Sequence, residues 1–385
     1  AFTMVSPAVH GRSSGGLPIG SNTGRIRAAQ PGWLKKRYVV PEAISPIADP
    51  VVRQYVALVF ACGADVRSIT TANPSLLLLL FRRLEEWADA LHADIAQGTL
   101  CHGPAAELEP DLRSRISASL KPADVPDVLE PASLWNLASV NCWTNGPAEY
   151  FAQRLRTVLP DVPIRELGVT ASEGTFAFPL RHDWPGSVLW TGGSVMEFLS
   201  EDGSLKWCWE LEEGERARLV ITTSAGLVRY DMADEVEVVG WCRQTPLVRF
   251  VGKSGRYLNR VGERVTAGQV SSAMRALGID AAGFTVFARG GDVPSYIVAI
   301  EGKNISPHVA VDFDEALAER NVEYAGKRRS GRIAAPVLQT LEAGHYARLR
   351  AHRVAEGAPE GQLKDPILAV DEGEWNMVLN MGQTQ

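Results

Sequence analysis

The chain has 385 residues, of which 45% are hydrophobic and 22% charged, with a formal net charge of -6. It is too long for one ordinary core and fits two or three domains, while the acidic balance weighs against a phosphate-backbone partner, which calls for a basic stripe. The cysteines, Cys62, Cys101, Cys142, Cys208 and Cys242, are odd in number and far apart, with no paired spacing that suggests a zinc knuckle or a redox dithiol, and read as reduced, mostly buried thiols in a cytoplasmic protein. The apolar run Leu76 to Phe81 falls well short of a membrane span, and no basic stretch with a long apolar segment opens the chain. A soluble protein with no membrane partner is expected. The sequence starts at Ala1, in mid-pattern, so residues upstream of it are expected as well.

Residues Ser45 to Ala61 carry Val52, Tyr55, Val56, Val59 and Phe60 at helical spacing, and Val66 to Thr70 alternates as a short strand. Asn73-Pro74 reads as a helix start, and the stripe Leu77, Leu80, Leu84, Trp87, Leu91 and Ile95 runs as core packing to a stop at Gly98. An apolar strand from Leu134 to Val140, a helix from Ala148 to Val158 and a strand from Ile164 to Val169 make a βαβ unit and imply a parallel sheet. Ligands gather beyond the carboxyl ends of strands in such sheets, so the loop Thr170 to Gly174 is where a site is expected.

From Val188 to Phe250 short runs such as Ser187 to Thr191, Ala217 to Thr222 and Glu235 to Val239 alternate with glycine and acidic turns, as in antiparallel or mixed β structure. Beyond Gly252-Lys253-Ser254-Gly255 come a helix from Thr266 to Leu277, strands near Phe284 to Ala288 and Tyr296 to Ile300, and a helix from His308 to Arg320. A strand near Ile333 to Thr340 and a helix from His345 to Val354 complete a small α+β domain. The basic cluster Lys327-Arg328-Arg329 with Arg332 reads as a solvated loop. The fold class expected is α/β, a large domain with a parallel sheet and a β subdomain over residues 1–252, then a small α+β domain over 253–385.

Three segments carry candidate chemistry: Thr170-Ala171-Ser172-Glu173-Gly174, the acidic loop Arg229-Tyr230-Asp231-Met232-Ala233-Asp234, and Lys364. Two carboxylates and an ammonium from separate segments suit a magnesium ion, ribose hydroxyls and phosphate oxygens. A solvent-exposed turn for the two acidic segments and an exposed loop lysine for the third are the bland alternatives. Arg12-Ser13-Ser14-Gly15-Gly16-Leu17-Pro18 has the composition of a phosphate-cradling loop, and the structural reading of it is preferred.

Taken in order, these segments resemble the auxin-responsive acyl acid amido synthetases, the Gretchen Hagen family of the adenylate-forming superfamily. The resemblance runs over nearly the whole chain. It is carried by Thr170 to Gly174, by Gly226-Leu227-Val228-Arg229-Tyr230 leading to Asp234, and by Thr245-Pro246-Leu247-Val248-Arg249-Phe250-Val251-Gly252. Leu258-Asn259-Arg260-Val261-Gly262-Glu263 and Gly361-Gln362-Leu363-Lys364-Asp365-Pro366 complete it.

The resemblance implies an ATP-dependent ligase that converts a small carboxylic acid to an acyl-adenylate and joins it to an amino acid through an amide bond. It assigns Ser172 and Glu173 to the nucleotide, Glu173 also to Mg2+, Asp234 to the ribose, Lys364 to the oxygens between acyl group and phosphate, and Lys253 to an interdomain hinge. Three positions depart from the family pattern: Val169 stands where relatives carry a tyrosine, and Asp231 and Ala233 where arginine and glycine are usual. An acyl-CoA-type ligase and a non-catalytic acid-binding relative are the alternative readings. Trp143, Phe176 and Trp190 line a pocket or belong to the core with equal justification.

Overall fold

The computed structural model describes residues 1–4, 8, 9, 11–358 and 363–380; Gly361 and Gln362 of the C-terminal segment lie outside them. By its contacts the chain forms two compact units, one made of residues 1–142, 154–164 and 346–364, the other of 143–153, 165–345 and 365–385.

The first unit is mostly helical. The helix Pro50–Cys62 is capped by Asp49, whose Oδ1 accepts from the amides of Val51 at 2.6 Å and Val52 at 3.1 Å. It begins later than the apolar spacing suggests because Pro50 lacks an amide hydrogen and fits only the first turn. Its residues from Val52 onward are all buried, so it runs through the core rather than along it.

The stripe from Leu77 to Ile95 is two helices, Pro74–Glu86 and Ala88–Gln97, not one. They divide at Trp87, whose ring sits edge-on to Tyr55 at 5.4 Å and under the Arg83 guanidinium at 4.6 Å. The two signals at its ends hold: the Asn73 Oδ1 accepts from the Ser75 amide, and Gly98 closes the second helix in the left-handed region at φ 65°.

Four short strands, Phe2–Thr3, Ser68–Thr70, Ser139–Asn141 and Ile164–Arg165, pair in that order, the first two pairings parallel. The expected strand from Leu134 contracts to its last residues. Pro131 opens a helical turn, Pro131–Leu134, and the buried Trp135 turns its indole N–H to the Ala61 carbonyl at 2.9 Å.

The second unit holds an eight-stranded sheet in the order Leu205–Lys206, Val195–Ser200, Arg216–Thr222, Tyr230–Cys242, Thr245–Lys253, Ser187–Leu189, Gly174–Phe178 and Val169–Ala171. Its pairings are antiparallel. Two expectations change here. The strand read from Ile164 to Val169 is broken at Gly168, φ 87°, so that Ile164–Arg165 and Val169–Ala171 serve different sheets. And Arg229 to Asp234 is not a loop: from Tyr230 it is the start of the long strand Tyr230–Cys242, in which Met232, Asp234, Val236 and Val238 alternate on the buried face.

A four-stranded sheet completes the unit, ordered Ala334–Leu341, Ser295–Gly302, Ala281–Arg289 and Leu368–Ala369. The helix Ala267–Ala276 opens on a capping box between Thr266 and Gln269, and the helix Val309–Arg320 follows the strand hairpin. The basic cluster is the last turn of a helix, Val322–Arg329, not a loop, where positive charge offsets the helix dipole. Arg328 is committed there to Asp314, with a contact of 2.5 Å.

Candidate functional site

The surroundings of Asp234 are not those of an ordinary turn aspartate. It occupies a core-facing register of its strand, 6% exposed, and stands opposite Lys253 on the neighbouring strand. The Lys253 ammonium reaches the Asp234 Oδ1 at 2.9 Å and donates to the Met232 carbonyl, also at 2.9 Å. The carboxylate therefore enters the interior with its charge balanced by the ammonium. Lys253, half exposed, is thus tied to the candidate ribose carboxylate, a pairing that strand register explains and residue spacing alone does not show.

Ser172 and Glu173 form the two-residue turn between the antiparallel strands Val169–Ala171 and Gly174–Phe178. They stand at a hairpin tip rather than beyond the end of a parallel strand, with Ser172 exposed and Glu173 half-buried. Along the sheet two strands, Thr245–Lys253 and Ser187–Leu189, lie between this hairpin and the strand of Asp234. The structure joins Asp234 to Lys253 and Ser172 to Glu173, and sets the two pairs in one sheet. Lys364 belongs to the first unit, where the adjoining Leu363 carbonyl accepts from the Asn73 side chain at 2.6 Å and the Lys364 carbonyl from Arg353 at 3.0 Å.

The residues that depart from the family pattern have local explanations. Asp231 turns its Oδ1 to the Ala233 amide at 2.8 Å and its Oδ2 to Arg218 at 3.4 Å. Its charge is spent on an Asx turn and an ion pair. That turn holds Ala233 at φ 54°, a left-handed conformation that glycine adopts without cost, and the Ala233 carbonyl accepts from the Ser254 amide at 2.6 Å. Arg229, also left-handed at φ 46°, pairs with both Glu197 oxygens at 3.0 and 2.9 Å. Arg249 is bound to Glu237 at 3.0 Å. Val169 is 7% exposed and Phe176 is fully buried in the sheet's core, whereas Trp190 is 46% exposed.

Two further carboxylates gather several donors each: Glu263 closes the Leu258 to Glu263 segment named above, whereas Glu166 carries no sequence signal. Glu263, 1% exposed, accepts from the amides of Arg260 and Val261, each at 2.8 Å, and from the Tyr296 hydroxyl at 2.7 Å. Glu166 accepts hydrogen bonds from Thr144, Asn145, Leu167 and Gly168. Burial pushes its carboxyl above the usual range, and those donors pull it only part of the way back. Its partners Thr144 and Asn145, 22 and 21 residues away in sequence, follow no motif.

For a divalent cation, Glu173 supplies one hard oxygen at an accessible turn. Among the described residues no group of three or more His, Cys, Asp or Glu could hold a metal alone. A single carboxylate completed by phosphate oxygens and water suits Mg2+, which keeps much of its hydration.

The architecture is that of a multidomain α/β chain sharing its fold with a solved GH3.15 acyl acid amido synthetase, which it matches over 99% of its own length and 74% of the other at 16% identity and a TM-score of 0.85. The chain belongs to the GH3 family: its residues 2–164, 188–253 and 267–373 match the family's N-terminal, central and C-terminal domains. It is similar to a probable indole-3-acetic acid-amido synthetase GH3.12 of Oryza sativa, 24% identical over 376 residues, 79% of this chain and 61% of that protein. It is also similar to the jasmonoyl-L-amino acid synthetase JAR4 of Nicotiana attenuata, 23% identical over 399 residues, covering 92% and 68% of the two chains. This chain thus spans 61% and 68% of the length of these two relatives.

Proposed function

We propose that this GH3 chain is an ATP-dependent acid-amino acid ligase, which activates a small carboxylic acid as its acyl-adenylate and then couples it to the amino group of an amino acid. The observation that carries the reading is Asp234 at a buried register with Lys253 on Oδ1, in a chain that matches all three domains of the family and is similar to relatives named as an amido synthetase and a jasmonoyl-L-amino acid synthetase. A carboxylate accepts from both hydroxyls of a ribose, which one amide does not.

ATP supplies the leaving group that a free carboxylate lacks. Ser172 donates a hydroxyl hydrogen bond to the nucleotide. Glu173 would hold Mg2+, whose chemistry is to offset the charge of the phosphate oxygens. Lys364 brings a compact cation to the oxygens between acyl group and phosphate, an interaction that strengthens as charge develops there. Lys253, at the end of its strand and followed by Ser254-Gly255, stands as the hinge of the 253–385 portion. Its contact with Asp234 then links that hinge to the nucleotide.

The partners in this reading are a carboxylic acid and an amino acid, with neither nucleic acid nor membrane. No helix among the described residues is long and apolar enough to cross a membrane. Among the described residues no disulfide joins the cysteines, which supports a reducing, cytoplasmic setting.

Acid-dependent exchange of labelled pyrophosphate into ATP tests the first step. Exchange with one member of a broad acid panel is expected. No exchange with any of them rules out adenylation.

A further inference from the structure

The Glu166 carboxylate gathers donors from two stretches of chain that are remote in sequence. Its Oε2 accepts from the Thr144 amide at 2.7 Å, the Thr144 hydroxyl at 2.5 Å and the Asn145 side-chain amide at 2.7 Å. Its Oε1 accepts from the amides of Leu167 at 2.9 Å and Gly168 at 3.1 Å. A carboxylate has about four lone-pair sites, so this one is committed to capacity.

Each stretch is then seated without freedom against a different part of the eight-stranded sheet. Gly146, at φ 57°, lies so close to the strand Thr245–Lys253 that a Cβ there would come within 2.7 Å of the Val251 carbonyl oxygen and 3.3 Å of the Phe250 ring. Gly168, at φ 87°, lies so close to the strand Gly174–Phe178 that a Cβ would fall 2.2 Å from the Ala177 carbonyl oxygen. Val251 is two residues before Lys253, the partner of Asp234. Gly168 leads directly into Val169–Ala171 and the Ser172-Glu173 turn.

We infer that Glu166 is a positioning residue for the nucleotide: it locks the Thr144-Asn145-Gly146 loop to the Leu167-Gly168 backbone, and so sets the Ser172-Glu173 hairpin in register with the Asp234-Lys253 pair. One strand, Ser187–Leu189, separates the strands that carry those pairs, and this loop adds a second link between them. The inference rests on the nucleotide reading above and adds the element that aligns its parts. Glutamine at position 166 would put an NH2 where two or three donors now point, so the substitution opposes the contact rather than merely weakening it.

The test is titration of MgATP into the full chain by calorimetry, for wild type, E166Q, N145A and the double variant, at a temperature where circular dichroism shows each to be folded. Expected is a Kd for MgATP at least tenfold weaker in E166Q and in N145A, with the double variant no weaker than E166Q, since both act through one contact. E166Q that is less stable yet binds MgATP with wild-type Kd reduces Glu166 to a purely structural residue and overturns the inference. If E166Q does not fold, N145A decides by the same criterion. Wild type that binds no MgATP overturns the nucleotide reading itself, and the inference with it; wild-type binding with unchanged variants overturns the inference alone.

Discussion

Ala233 is a residue whose backbone contradicts its side chain. A left-handed conformation costs a non-glycine residue about 1 kcal/mol, and here the Asp231 Asx turn and the Ser254 hydrogen bond enforce it. A233G is therefore expected to raise the unfolding free energy by about 0.5–1 kcal/mol, read from urea denaturation midpoints.

Asp94 is a residue of the opposite kind, fully buried and fully matched. It accepts from the Tyr55 hydroxyl at 2.8 Å, the Thr99 hydroxyl at 2.8 Å, the Cys101 amide at 2.8 Å, the His102 amide at 3.2 Å and the His102 ring Nδ1 at 2.8 Å. Burial raises its carboxyl, but the donations from His102, Cys101, Thr99 and Tyr55 outweigh that and hold it below the usual range. A carboxyl depressed on folding contributes stability that is full above its unfolded value, about 3.9, and is lost as pH falls through the folded one. D94N should cost about 2–4 kcal/mol at neutral pH, and the gap between wild type and variant should close below about pH 4. A gap that widens in acid would contradict this account. Asp94 was not legible in the sequence, because it differs from its neighbours only in three-dimensional surroundings, whereas Ala233 stood out only by the resemblance, which puts glycine there.

At the scale of elements, the signals that came through are those with a local cause. Asn73-Pro74 and Gly98 mark real helix ends, because caps act within one turn, and the helix expected from Thr266 opens on a Thr266-Gln269 box that the structure shows. T266A should cost about 1 kcal/mol, measured as a shift in the thermal midpoint. Where tertiary packing decides, periodicity misled: the stripe through Trp87 divides, the Leu134 strand shrinks around Trp135, and the Ile164 to Val169 strand is cut at Gly168. The acidic segment before Asp234 looked like a loop because turn-forming residues crowd it, yet the alternation Met232, Asp234, Val236, Val238 was there to be read as a strand.

Lys253 belongs to the same scale, since its partner is set by pairing of two strands. K253M removes the cation and leaves Asp234 buried beside methylenes. It is expected to lower stability by about 1–2 kcal/mol, the lysine end of the pair being half solvated. Pyrophosphate exchange should fall by a larger factor than that loss of folded protein explains. Equal losses in exchange and in folded fraction would make the pair structural only.

For the whole molecule, the α/β class and the family were legible because ordered segments are spread over its entire length, and no rearrangement of local structure hides that order. The geometry of the candidate site was not, since it depends on which strands neighbour one another in the eight-stranded sheet. Lys364 belongs to the unit that does not carry Asp234 and Glu173. K364A should therefore leave MgATP affinity within about threefold, below one tenfold step of about 1.4 kcal/mol, while reducing pyrophosphate exchange at least a hundredfold, the scale typical of a lost transition-state donor. Loss of both together would mean that Lys364 serves binding instead.

The alternation that turns Asp234 inward also restricts how this segment can change over time. Replacement of one residue by another alters a single position, but removal or gain of one residue between Asp234 and Val238 exchanges the two faces of the strand upstream of the change. The carboxylate would then meet solvent, and its outward neighbours would be forced among apolar side chains. Across the family, divergence here should accumulate as substitutions, with gaps confined to the hairpin tips at Thr223 to Leu227 and Cys242 to Thr245.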